Sequence, residues 1–80
     1  MKKAERLKLW RRGKVSYAQA GLKAGFSKQA VREAVLGITR KPRLEIARVV
    51  AEVCGRSVGE VFPAWQGDPT LLREPLHVAA

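Results

Sequence analysis

The sequence predicts an all-α protein: a compact five-helix domain over residues 1–65 with a C-terminal tail, 66–80. Three observations predict it. Residues 17–36, YAQAGLKAGFSKQAVREAVL, are two runs of helix formers joined by Gly25-Phe26-Ser27, each with an apolar face of mostly small residues. Ser16-x-x-Gln19 and Ser57-x-x-Glu60 have the form of capping boxes, in which serine and Gln/Glu satisfy each other's free backbone N–H at a helix start. Residues 42–53 are apolar nearly all round, as expected for a helix that forms the core.

Helix 1 is expected at about Lys3 to Arg12. Ala4, Leu7 and Trp10 recur at three-residue spacing as its apolar stripe, with Lys3, Arg6, Lys8, Arg11 and Arg12 on the other face. Gly13 is placed to end it in a left-handed conformation. Helix 2, about 17–24, starts at the Ser16 cap and turns Tyr17, Ala20, Gly21 and Ala24 inward. Glycine within a short helix costs about 1 kcal/mol against alanine, so Gly21 implies a close neighbour, the next helix. Gly25 supplies the positive φ of the turn. Ser27 caps helix 3, about 28–36, with Ala30, Val31, Ala34 and Val35 inward and Gly37 at its end.

The loop 38–43 carries three cations, Arg40, Lys41 and Arg43, and Pro42 fits the first turn of helix 4. Helix 4, about Pro42 to Val53, has only the stripe Glu45, Arg48 and Glu52 as polar surface, with signs arranged to attract. Cys54 extends its apolar side as a buried structural thiol. After Gly55, a helix of one or two turns runs from the Ser57 cap to Phe62, is stopped by Pro63, and folds Val61, Phe62 and Trp65 over helices 1 and 4. The tail contains Gly67-Asp68-Pro69 and Pro75 and no sustained period, and it is expected to be extended or disordered, with Leu71, Leu72, Leu76 and Val78 free to dock.

Charge gives the first functional indication. The chain carries a formal net charge of +9 over 80 residues. Residues 1–43 hold 13 Lys/Arg against Glu5 and Glu33, whereas residues 44–80 hold three against five acidic residues. Such asymmetry favours a polyanionic partner, because neutralising phosphates releases counterions. A merely solvated surface and an anionic membrane surface are weaker explanations. With no apolar run of membrane-spanning length, no signal-peptide pattern and one cysteine, the chain is expected in a reducing cytoplasm.

Two short helices around a tight turn, the second polar on its outer face, have the sequence form of a helix-turn-helix, whose second helix enters the DNA major groove. Lys28, Gln29 and Arg32 then form the base-reading set. Arginine can pair with guanine O6 and N7, and glutamine with adenine N6 and N7. Glu33 either accepts from cytosine N4 or orients Arg32 or Gln29. Ser27, near the free N–H groups of the helix start, suits a phosphate, as does Ser16 at the preceding helix. Arg40, Lys41 and Arg43 follow the recognition helix where a backbone strand would pass, and Lys14 and Lys23 flank helix 2. Their expected role is positioning without readout.

GFSKQAVREAV resembles the turn and recognition helix of lambda-repressor-like DNA-binding domains. Ala24, Gly25 and Phe26 match the small-Gly-hydrophobic lead, and Val31 the β-branched core residue that follows. Ile46-Ala47, Gly55 and Val61-Phe62-Pro63-Ala64-Trp65 follow in an order similar to the Ner-like phage regulators, so that the resemblance spans about residues 4–65. The chain departs from the pattern at Gly21, where alanine is preferred. It departs again at Tyr17, where some members carry a phosphate-contacting glutamine, and at Phe62-Pro63 in place of Trp-Pro. The resemblance implies a phage or prophage repressor that binds double-stranded operator DNA in a bacterial host's cytoplasm, associated with the nucleoid. A homodimer on a palindromic operator is the matching stoichiometry.

Three other functions are weighed. A DNA-binding antitoxin, or an excisionase or recombination accessory protein, would share the fold. A basic RNA-binding protein would share the charge. An enzyme is not expected, since His77 is the only histidine and lies in the tail without a partner cysteine or paired carboxylate. Metal-ligand spacing and Gly-rich phosphate loops are absent from the sequence, and no cofactor or small-molecule ligand is expected.

Overall fold

The computed structural model describes residues 1–71, and all regular structure among them is helical. The chain runs through α1 (Lys3–Arg12), α2 (Tyr17–Ala24), α3 (Lys28–Val35), α4 (Leu44–Cys54) and α5 (Val58–Val61), then a 3₁₀ turn at Pro63–Trp65. None of these helices is long and apolar enough to cross a membrane.

Helix α4 is the core. Seven of its eleven residues are buried, from Leu44 to Cys54, and α1, α2, α3 and α5 all pack on it. Val31, Ala34 and Val35 of α3, Ala20 of α2, Leu9 and Trp10 of α1, and Val61 and Phe62 complete the interior. Cys54 is buried with its Sγ 3.8 Å from the Arg6 carbonyl oxygen. Burial raises its thiol pKa, although Arg6 and Arg56 pull the other way. It is a packing residue.

The inward face of α1 differs from the Ala4-Leu7-Trp10 stripe. Arg6, Leu9 and Trp10 are buried, Leu7 is half-buried and Ala4 is exposed. Arg6 therefore belongs to the interior and not to the basic outer face. Its Nε donates to the Val35 carbonyl at 2.7 Å, and its Nη1 to those of Val61 at 3.3 Å and Met1 at 3.4 Å. Polarity alone assigned it outward; three carbonyls and the face of Phe62, 5.5 Å from its Cζ, make burial tolerable.

Gly13 has a right-handed φ of −72°, so it does not end α1 in the expected way; Lys14 takes the positive φ, 55°. The glycine is required for space, because a Cβ there would lie 2.5 Å from Val53 Cγ1 and 2.9 Å from the Val53 carbonyl oxygen. Trp10 stacks on Tyr17 at 5.5 Å between ring centroids, joining α1 to the start of α2.

The α2–turn–α3 unit follows its local signals closely. Ser16 and Gln19 form both bonds of the capping box, each 3.0 Å. Gly25 takes a left-handed φ of 80°, and the N–H groups of Gly25 and Phe26 both donate to the Gly21 carbonyl. The close neighbour implied by Gly21 is backbone: a Cβ would stand 2.6 Å from the Phe26 carbonyl oxygen and 3.1 Å from Lys28 N. Gly21→Ala should therefore push the turn away from α2 and cost about 1–3 kcal/mol in a denaturant melt, despite alanine's better helix propensity. A neutral or stabilised variant would contradict the contact.

Helix α3 ends at Val35, one residue short of the predicted 28–36 span, with Leu36 as its cap and Gly37 at φ 79°. Pro42 does not stand in the first turn of α4, because Arg43 is the N-cap and Pro42 lies before it. Its carbonyl accepts a 2.8 Å hydrogen bond from Trp65 Nε1, tying the loop to the 3₁₀ turn. The Ser57–Glu60 capping box forms as expected, and hydrogen bonds from the Ser57 backbone and hydroxyl hold the Glu60 carboxyl below its ordinary pKa.

Beyond Trp65 the chain turns at Gly67, and Pro69–Leu71 begins a helical turn, so the first part of segment 66–80 is not extended. Leu72, Pro75, Leu76, His77 and Val78 lie outside the described residues.

Candidate nucleic-acid interface

The outer face of α3 is held from both sides of its own sequence. Ser27 Oγ accepts from the Ala30 N–H at 3.2 Å and fixes the helix start. Val31, Ala34 and Val35 fix its rotation by burying the opposite face. Lys28, Gln29 and Arg32 are consequently exposed together, as the i, i+1, i+4 spacing requires. Glu33 is half-buried, and its Oε2 accepts a long, 3.4 Å hydrogen bond from Gln29 Nε2. Of the two roles read for Glu33, orienting Gln29 is the one with a contact behind it.

The flanking cations divide into groups. Arg43 lies over the Phe26 ring, 5.7 Å from Cζ to centroid, so its guanidinium rests on the turn. A groove of about 220 Å³ beside α3 is bordered by Phe26, Glu33, Thr39, Lys41 and Arg43, which places two of the three loop cations next to the proposed reading helix. Arg40 is exposed and lines a different cleft. Lys14 and Lys23 border a groove between α2 and α4 together with Gln19 and Glu52, and Lys23 Nζ is 2.7 Å from Glu52 Oε1. That pair is exposed on both sides and contributes little to stability. Ser16 is exposed at the start of α2, its oxygen already accepting in the cap, which leaves its hydroxyl hydrogen to donate.

Lys41 is less free than its sequence context implies. Its Nζ is 2.8 Å from Asp68 Oδ2 and 4.5 Å from the Trp65 ring centroid. Asp68 is held in turn by the Thr70 N–H at 2.8 Å. No local signal linked Lys41 to Asp68, since 27 residues separate them. The hydrogen bond from Lys41, followed by that from Thr70, lowers the Asp68 pKa below the ordinary aspartate range. The folded pKa lies below the unfolded one, so the stabilisation is complete above the unfolded pKa and is lost as pH falls through the folded value. In a carboxyl-detected NMR titration, Asp68 should titrate below the ordinary aspartate range, and Lys41→Gln should move its midpoint upward. An unmoved midpoint would mean that the pair does not form in solution.

Two large apolar side chains also stand in solvent: Leu22 on α2 is 86% exposed, and Ile38, just after α3, is 65% exposed. Among the described residues, no group of His, Cys, Asp and Glu could hold a metal ion. No protein-family model, curated protein or solved structure matches the chain.

Proposed function

We propose that the chain is a sequence-specific double-stranded DNA-binding regulator of the helix-turn-helix type, lambda-repressor-like in its five-helix arrangement and closest in motif order to the Ner-like phage regulators. The observation that carries this reading is the α2–α3 unit: a glycine turn pressed against Gly21, and a rotationally fixed α3 that exposes Lys28, Gln29 and Arg32 together. An eight-residue helix with a buried apolar face and a cationic, amide-bearing outer face suits a major groove, where those side chains meet base edges.

The charge distribution supports the same partner. Arg40 and Arg43, with Ser27 at the start of α3, supply phosphate contacts around the reading helix; Ser16 and Lys14 supply them just before α2, and Lys23 from α2 by exchanging Glu52 for the phosphate. Arg6 is removed from the outer basic face of α1 by its burial, and Lys41 reaches a phosphate only by exchanging Asp68 for it. On this reading the protein acts in a bacterial cytoplasm as a repressor, two copies covering a palindromic site.

Selection of bound sequences from a random duplex library tests the proposal. The expected product is a palindrome with half-sites about 10 bp apart, one helical turn. Absence of enrichment at low salt would refute it, and a preference for structured RNA at matched salt would replace DNA with RNA as the partner.

A further inference from the structure

Arg6 has a further feature that its hydrogen bonds leave unused. The side chain is 94% buried by its relative exposure of 6%, and no carboxylate pairs with it among the described residues. Nε and Nη1 are committed to carbonyl oxygens, whereas Nη2 meets no acceptor there. Nη2 faces Gly37, where an added Cβ would come within 2.7 Å of it. The missing side chain leaves that nitrogen open to a cleft of about 230 Å³ between the end of α3 and the Phe62–Ala64 segment. Arg40 and Thr39 line the same cleft, and no acidic residue does among the described residues.

We propose that this cleft is a phosphate site, in which Arg6 Nη2 and Arg40 bind the oxygens of one phosphate group and Thr39 can add a hydroxyl donor. Two guanidiniums in one cleft match a tetrahedral oxyanion that carries more than one charge better than a single carboxylate. The buried arginine supplies a donor whose position is already fixed by Val35 and Val61, so little ordering remains to be done on binding. The apolar wall formed by Phe62 and Ala64 accommodates the organic part of a phosphate ester. The ligand is a phosphate group, either of a free phosphate ester or of a nucleic-acid backbone. The site goes beyond the DNA reading and stands without it.

The probe is inorganic phosphate, titrated into the whole chain against sodium chloride at matched ionic strength. The readout is the NMR signals of the Arg6 side-chain N–H groups and of the Gly37 and Arg40 amides. A saturable, phosphate-specific shift is expected. Arg6→Ala is expected to perturb folding, so Arg40→Gln, at an exposed side chain, carries the test: affinity should fall about tenfold, as for loss of one charge-assisted hydrogen bond. Arg12→Gln removes the same charge outside the cleft and should leave affinity unchanged. A response equal for phosphate and chloride, or equal weakening by both variants, would overturn the site. A short duplex that displaces the phosphate would identify the backbone as the source, and one that leaves it bound would identify a free ester; both outcomes support the cleft. No DNA is present in the phosphate arm, so its failure is separate from failure of the DNA reading.

Discussion

Arg6→Met is expected to destabilise the domain by about 3 kcal/mol or more. Methionine retains most of the volume and the apolar stem contacts but no donor. Val35 is the last residue of α3 and Val61 the last of α5, so their carbonyls are among those that a helix end leaves without intrahelical partners. Arg6 satisfies both from α1, with bonds of 2.7 and 3.3 Å, and thereby joins three helices. Hydrogen bonds to a charged donor contribute roughly 1.5–3 kcal/mol each, and stranding a buried acceptor costs its full desolvation. Burial lowers the guanidinium's pKa, with the Cys54 sulfur acting in the opposite sense, but an arginine remains charged even so. Arg6→Lys should rescue only part of the loss, because one ammonium cannot reproduce the planar fork. Urea melts would check both variants. A methionine variant as stable as the parent would mean that the carbonyls find other donors and that the guanidinium is not structural.

Arg32→Ala is expected to weaken binding to the selected duplex by about 1–3 kcal/mol and to relax base preference at one position. Gln29→Ala should do the same at another. The reason is geometric: α3 cannot roll, because Val31, Ala34 and Val35 are fully buried, so each outer side chain addresses a fixed place along the groove. Arg40→Ala, by contrast, should weaken all sequences alike and reduce the slope of log affinity against log salt by about one. Lys41→Ala should act in the same direction but less strongly, since Lys41 must first release Asp68 and move from the Trp65 ring. Anisotropy titrations with matched and scrambled duplexes at several salt concentrations separate the two classes. Intact specificity in Arg32→Ala, together with lost base discrimination in Lys41→Ala, would reverse the assigned roles.

Some elements of this molecule are written locally. The Ser16, Ser27 and Ser57 caps, the Gly25 and Gly55 turns, and the burial of α4 each follow from residues within a few positions of one another. Periodicity also placed Lys28, Gln29 and Arg32 on one exposed face, because an amphipathic helix declares its own orientation once one side is apolar. Where residue type alone misleads, a distant partner is involved. Gly13 is needed because Val53 presses on it from α4, and Pro42 stands outside that helix with its carbonyl taken by Trp65.

Residue order alone accounts for the helical structure of the described residues, for helix boundaries to within about two residues, and for the polar face of α3. Which cations remain available depends on long-range packing. Arg6 is drawn into the interior by the unpaired carbonyls of α3 and α5, Lys41 is held by Asp68 across 27 residues, and Arg43 rests on Phe26. Helix signals are short-range, set by backbone hydrogen bonds and capping within a turn or two. The fate of a charged side chain depends on which acceptors and rings the folded chain brings to it, and those arrive from anywhere in the sequence.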